Sequence, residues 1–192
     1  GGDPTLQPEK GWNTEWGLIY KNLEATGFAT FLTDQILWVP TSSGFWKAEN
    51  AGQTRTWGVE WKVKHLKLGP FHGEFNGTYQ QPRQLKSTWI PLLYQPDWKI
   101  QTKWATNWKG LKSEISMVAQ GKRNVTTDGS VQLPNQGQVN LWVDFSEKLP
   151  KGLSGKLGIQ NALGNNWWYL PYLPGPKFQT QIQIQYQFLF SQ

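Results

Sequence analysis

Residue types that catalyse reactions or hold metals are scarce in this chain. It has no cysteine and two histidines, His65 and His72. Glu74 lies two residues beyond His72, on the same side of an alternating strand. Zinc sites use three or four such ligands, so a solvated polar face explains this pair better than a metal site. No nucleophile–base pair, phosphate-binding loop or dinucleotide motif is recognisable, and we predict no catalytic residue, metal or cofactor.

Aromatic residues offer more binding chemistry. The chain has 13 tryptophans, and several lie beside amides or basic residues in segments that we predict to be long loops. Exposed rings stack on sugars and flat chelates, while arginines pair with anions. For Trp167 and Trp168, sealing of a loop or a place in the membrane head-group belt is favoured over stacking on a ligand. The predicted ligand-binding residues are Trp38, Trp46, Arg83, Trp89, Tyr94, Arg123, Trp167 and Trp168.

The C-terminal segment alternates glutamine with mostly apolar residues from Phe178 to Phe188. Because a strand points successive side chains to opposite faces, this segment has one polar, uncharged face and one apolar face. Such a strand suits a wall with lipid on one side and water or polar protein on the other. We predict a lumen-facing set of Gln179, Gln181, Gln183, Gln185 and Gln187, and a lipid-facing set of Ile182, Ile184, Tyr186 and Phe188.

Strand-type alternation recurs along the whole chain, and helical periodicity is almost missing. The connections alternate between tight turns, such as 109–110, and long loops, such as 81–97. This favours an all-β, antiparallel, up-and-down sheet with two different ends, as in a transmembrane β-barrel. The alternative interpretation is a soluble protein whose aromatic side chains fill its core. The nine predicted strands cover about 11–22, 25–34, 45–68, 71–81, 98–108, 111–123, 138–145, 153–163 and 178–188.

The formal charge of +6 indicates either a solvated surface or attraction to an anionic partner. The basic residues do not cluster; the densest group is Lys62, Lys64 and Lys67. Nucleic-acid sites combine a basic patch with aromatics on one surface. We therefore predict no nucleic-acid partner, and consider lipid head groups and lipopolysaccharide phosphate instead.

Six short strings resemble motifs of TonB-dependent outer-membrane receptors, in the family's order and across nearly the whole chain. Ala162 and Lys177 depart from the family pattern. The resemblance implies that residues 1–192 form the C-terminal portion of a receptor barrel, with no plug domain in this chain. The strings are 3–10 (DPTLQPEK) with 15–18 (EWGL), 31–39 (FLTDQILWV), 49–60 (ENAGQTRTWGVE), 90–96 (IPLLYQP), 160–163 (QNAL) with 174–177 (PGPK), and Tyr186-Gln187-Phe188.

The resemblance also implies a function in the bacterial outer membrane. Such a receptor takes up a scarce ligand (a siderophore, cobalamin or a sugar), with a plug domain and the TonB system as partners. About nine strands are fewer than half of the ~22 of such transporters, so other parts or chains would complete the barrel, unless it closes as a small one. Two alternatives stay open: a structural barrel subunit without transport, and a soluble carbohydrate-binding β-barrel.

Overall fold

The computed structural model describes residues 4–50 and 52–187, and these form antiparallel strands. One turn of 3-10 helix, Ser146–Lys148, interrupts them. The strands are β1 (Lys10–Tyr20), β2 (Leu23–Thr33), β3 (Ile36–Pro40), β4 (Trp46–Asn50), β5 (Gln53–Leu68), β6 (Phe71–Leu85), β7 (Trp89–Pro91), β8 (Trp98–Trp108), β9 (Leu111–Gln120), β10 (Arg123–Asn124), β11 (Gln132–Leu133), β12 (Gln136–Asp144), β13 (Leu153–Gln160), β14 (Trp168–Leu170), β15 (Leu173–Pro174) and β16 (Gln179–Tyr186).

Nine long strands pair in the order β1-β2-β5-β6-β8-β9-β12-β13-β16, and the short β7 adds to β6. This is the up-and-down order that the alternation predicts, and the all-β antiparallel fold is confirmed. The remaining strands form three small hairpins, β3–β4, β10–β11 and β14–β15. Two predicted strands were wrong in extent. Residues 45–68 are not continuous, because Gly52 has φ +73° and separates β4 from β5; residues 111–123 are not continuous either, because β9 ends at Gln120 and Arg123 belongs to β10.

The two ends of the sheet differ, as the turn lengths predict. At the turn end, β8 and β9 are joined by Lys109 and Gly110, which have φ +51° and +78°. Two positive φ values make the tight hairpin turn whose twist matches its strands. At the opposite end, the loop end, each connection carries one of the small hairpins or β7. The loop end is therefore the more elaborate side of the sheet.

The two faces of the sheet stay separate from strand to strand, because directly opposed residues share a face. Trp16 opposes Gly27, which opposes Val59, then Tyr79, then Trp98. We call this side the apolar face; it also carries Leu18, Tyr20, Trp57, Trp61, Ile100, Trp104, Trp108, Ile115, Met117, Val139, Leu141, Val143, Leu157, Ile159, Ile182, Ile184 and Tyr186. The opposite side, the polar face, carries Glu24, Lys62, Glu74, Lys103, Glu114, Asp144, Lys156, Gln181 and Gln183.

The sheet has almost no core of its own. Among the described residues the buried hydrophobic side chains are Leu92 and Leu133, both at the loop end. Trp16 and Ile182, in contrast, are 66% and 73% exposed. The accessible surface is 13,025 Å², whereas a soluble protein of this mass exposes about 9,300 Å². The described residues therefore form a wall whose apolar face needs another environment to cover it.

No helix in the described residues is long and apolar enough to cross a membrane.

The strands are staggered along the sheet. Tyr20, the last residue of β1, lies on the same line of opposed partners as Val139, five residues before the end of β12. Such stagger is the geometry of tilted strands in a barrel wall. In the described range β1 and β16 do not pair with each other, so the wall is open and does not close as a small barrel.

Candidate functional site: the loop end and the polar face

The long loops contact one another in series at the loop end. The Trp46 ring lies 5.9 Å from the Tyr94 ring, which links the β3–β4 hairpin to the loop after β7. The Tyr94 backbone N–H donates to the Asn124 carbonyl at 2.9 Å, which links that loop to the β10–β11 hairpin. Burial raises the pKa of the Tyr94 phenol. We call this connected set of loops the loop rim.

Arg123 joins the last loop to the rim. Its guanidinium donates to the Tyr169 carbonyl at 3.0 Å, to the Trp168 carbonyl, and to Gln136 Oε1 at 3.4 Å. The side chain is 7% exposed, and burial lowers the pKa of its guanidinium. Within the described residues no carboxylate pairs with it. Its position is that of a clamp beneath the β14–β15 hairpin rather than a group open to a ligand.

Gln136 completes this clamp from the polar face. Its Oε1 also accepts a hydrogen bond from the Trp168 backbone N–H at 3.0 Å. The Trp168 backbone is therefore held on both sides, by Arg123 at its carbonyl and by Gln136 at its N–H. The sequence favoured sealing or a head-group position over stacking for this tryptophan, and the structure shows it half-buried and fixed through its main chain.

Arg83 and Trp89 lie apart from the loop rim. Arg83 opposes Arg55 across β5 and β6 on the apolar face, and its Nη1 lies 3.4 Å from Asp97 Oδ1. The Trp89 ring covers the guanidinium of Arg55, with 4.1 Å from Cζ to the ring centroid. The eight residues predicted to bind a ligand are thus divided between the rim, the clamp and the apolar face.

The most exposed aromatics of the loops include residues outside the predicted set. Trp38 is 64% exposed and keeps its ring open for contact. Trp46 is also exposed, whereas Trp167 is half-buried. Phe45 follows the β3–β4 turn, and Tyr172, at the tip of the β14–β15 hairpin, is 98% exposed with φ +62°. Alternation could not single these two out, because hairpin tips are not periodic.

The polar face carries pairs of opposite charge between neighbouring strands. Lys103 Nζ lies 2.8 Å from Glu114 Oε2, and Lys62 Nζ lies 3.6 Å from Glu74 Oε2. Near the turn end this face encloses a hollow of about 640 Å³, bordered by Trp142 among others. Among the described residues no group of three His, Asp or Glu side chains is placed to hold a metal. The face suits solvent or a polar partner surface.

The last strand places its two residue sets on the two faces. Gln181 opposes Gly158 and Gln183 opposes Lys156, on the polar face. Ile182 opposes Leu157 and Ile184 opposes Gly155, on the apolar face. Tyr186 shares the apolar side, with Leu153 as its partner, and Gln179 and Gln185 share the polar side. Gln187 follows β16, its N–H donating to the Gly152 carbonyl, and Phe188 lies outside the described residues.

Comparison with known families decides where this wall belongs. A family model described as "TonB dependent receptor-like, beta-barrel" matches residues 1–162. The chain belongs to this TonB-dependent receptor-like family. The resemblance seen in the sequence is thereby confirmed, and the chain is a barrel segment of such a receptor-like protein. No curated protein matches the chain.

Solved structures share the fold of the segment. The copper transporter OprC is 15% identical with a TM-score of 0.75, over 96% of this chain and 32% of its own. The ferric-catecholate import receptor Fiu from K12 E. coli is 14% identical with a TM-score of 0.69, over 95% and 28%. The pyoverdine outer membrane receptor FpvA from Pseudomonas aeruginosa PAO1 is 14% identical with a TM-score of 0.70, over 97% and 31%.

At these identities the likeness establishes the fold alone. This chain spans about three tenths of the length of those proteins. They are transporters and receptors rather than enzymes, and FpvA is an outer-membrane receptor. The described sheet therefore has the geometry of one sector of a TonB-dependent receptor barrel.

Proposed function

We propose that this chain forms part of the wall of an outer-membrane receptor that takes up a scarce ligand. The observation that carries the proposal is the separation of an apolar and a polar face over nine successive strands of a family barrel. In a membrane barrel the apolar face contacts lipid and the polar face lines the lumen. Ile182 and Ile184 then face lipid, and Gln181 and Gln183 face the lumen.

In this proposal residues 1–192 are the C-terminal portion of the barrel. The open edges at β1 and β16 support a wall that other strands complete, because an unpaired strand edge is not stable in lipid. The remaining strands, the plug domain and the TonB system come from outside these residues, as family membership implies. The paired charges of the polar face would contact the plug or lumen water.

The loop rim is the proposed ligand vestibule. Trp38, Trp46 and Tyr172 expose aromatic surface at one end of the wall. Such surface suits a siderophore with flat, metal-binding rings; cobalamin and sugars present faces that stack in the same way. Arg123 would act there indirectly, by fixing the β14–β15 hairpin.

The test uses the intact protein that contains this chain, purified in detergent. Binding of a ferric catecholate, cobalamin and an oligosaccharide is measured by tryptophan fluorescence for the wild type and for Trp38→Ala with Trp46→Ala. We expect one ligand class to bind, and the double variant to weaken its affinity about tenfold, since an aromatic pair contributes about 0.5–1.5 kcal/mol and each 1.4 kcal/mol is a factor of ten. Trp108→Ala, at the turn end, is the matched control and leaves the affinity unchanged.

Two results would contradict the proposal. Binding of none of the three ligands, in a native complex that also lacks a plug domain, would favour a structural barrel subunit. An intact protein that stays monomeric without detergent and keeps its strand signal would instead favour the soluble, sugar-binding alternative.

A further inference from the structure

The apolar face is free of charged residues except at one corner. In the strands of the described sheet, the charged residues on that face are Lys10, Arg55 and Arg83. All three are cations, all three lie at the loop end, and they belong to β1, β5 and β6. The polar face, in contrast, mixes acids and bases in pairs. The corner therefore has an excess of positive charge beside an apolar surface.

Two of these cations are directly opposed. Arg55 and Arg83 are cross-strand partners, and like charges in that position repel. Asp97, which is half exposed, approaches only Arg83, at 3.4 Å. Arg55 has no carboxylate among the described residues, its Nε is buried without a hydrogen-bond partner, and Trp89 holds its guanidinium in place. The two guanidinium groups therefore have unused hydrogen-bond donors, and a single carboxylate, that of Asp97, faces their two positive charges.

A mostly apolar hollow of about 490 Å³ lies beside this pair, and Trp89, whose ring covers Arg55, is part of its border. Lys10, Thr33 and Gln53 border it, together with Trp89. Its floor contains Trp12 and Phe31, whose rings stack with 4.6 Å between centroids and 20° between planes. A cationic edge against a flat aromatic floor fits a molecule with an anionic head and an apolar body.

We propose that this corner binds the phosphate of a membrane lipid, in the leaflet at the loop end. Arg55 and Arg83 would contact the phosphate, Lys10 would add charge, and the lipid body would lie on Trp12 and Phe31. The level is right for a head group: Lys10 lies ten residues from Tyr20, about 34 Å along a strand that is tilted by about 40°, which is about 26 Å along the membrane normal, and the apolar band of such barrels is about 25 Å tall. The inference rests on the proposed membrane location and adds a specific lipid site to it.

The test measures lipid retention by the intact protein in phosphate-free detergent, using native mass spectrometry. The probes are lipid A, chemically dephosphorylated lipid A and inorganic phosphate. Lipid A is expected to bind, and its dephosphorylated form about tenfold more weakly, because charge-assisted contacts to phosphate are lost. Arg55→Gln with Arg83→Gln is expected to lose the same factor. Lys67→Gln with Lys99→Gln removes two polar-face charges and serves as the matched control.

Each outcome decides between the two proposals. Equal binding of lipid A with and without phosphate would overturn the lipid site while leaving the membrane location intact. Binding of inorganic phosphate as tightly as lipid A would assign the corner to free phosphate and overturn the lipid assignment. Failure of the intact protein to enter bilayers would overturn the proposed function and this inference together. The comparison of lipids uses the wild type, so it stands even where the arginine variant folds poorly.

Discussion

The indole of Trp142 lies over the backbone of Gly158, its directly opposed partner on the neighbouring strand. A Cβ at residue 158 would come within 2.3 Å of the ring. Trp16 covers Gly27 in the same way across β1 and β2, with a Cβ distance of 2.3 Å. The pairs Trp61–Gly77 and Trp104–Gly73 repeat the arrangement. Large rings in this sheet therefore rest on opposed glycines, which shields the exposed glycine backbone.

Replacing Gly158 with alanine should impair folding of the wall. The added methyl group would meet the Trp142 ring well inside van der Waals contact, and relief requires the ring to leave its place. Overpacking of this kind costs about 1–3 kcal/mol. The folded fraction in detergent, measured by heat-dependent gel mobility of the intact protein, should fall. Gly17→Ala is the matched control, because its Cβ would lie 3.8 Å from its nearest neighbours, the Ala25 carbonyl oxygen and the Thr26 hydroxyl; equal effects at both sites would contradict the prediction.

The strands were largely predictable from the sequence because alternation is a local signal. The strand Trp98–Trp108 has the predicted bounds, since a tight turn follows it at once. The break at Gly52 and the short loop hairpins were missed, because brief elements have too few residues to show a period. The opposition of Arg55 and Arg83 depends on register between strands, which alternation within one strand does not determine.

The predicted orientation of the last strand can be tested by moving a charge across it. Ile182→Lys would place an ammonium on the apolar face, where a charge costs about 2–4 kcal/mol at the bilayer midplane. Gln183→Lys places the same group on the polar face, where its partner Lys156 repels it at a cost of about 0.2–1 kcal/mol, less than that of a charge in lipid. We expect the first variant to reduce the amount of folded protein in the membrane and the second to have a small effect. Equal losses, or a larger loss for Gln183→Lys, would reverse the assignment of faces.

The clamp at Arg123 predicts a local loosening rather than a global one. Arg123→Met removes the donors to the Trp168 and Tyr169 carbonyls. Hydrogen bonds from a charged group contribute about 1.5–3 kcal/mol, so the β14–β15 hairpin should open more often. Amide hydrogen exchange in residues 164–177 should rise at least tenfold, with the long strands unchanged. Lys122→Met, one residue away and exposed, is the control. Similar exchange in both variants would show that the hydrogen bonds of Arg123 do not hold the β14–β15 hairpin.

The tip of the β10–β11 hairpin carries a carboxylate whose titration is predictable. Hydrogen bonds from the Thr126 side chain, and from the backbone N–H and hydroxyl of Ser130, lower the pKa of Asp128 from 3.8 to about 2. A lowered pKa means that the ionised group stabilises the hairpin fully above pH 3.8, and that this contribution is lost as the pH falls toward 2. Carbon-13 NMR of the Asp128 carboxylate should therefore give a midpoint near 2. The protection factors of the Ser130 and Val131 amides, which correct for the intrinsic exchange rate at each pH, should fall over the same range in the wild type and stay constant in Asp128→Asn, which has no charge to lose. A midpoint at 3.8 or above would contradict the hydrogen bonds from Ser130 to the Asp128 carboxylate. These bonds cause both the lowered pKa and the pH-dependent protection of the amides.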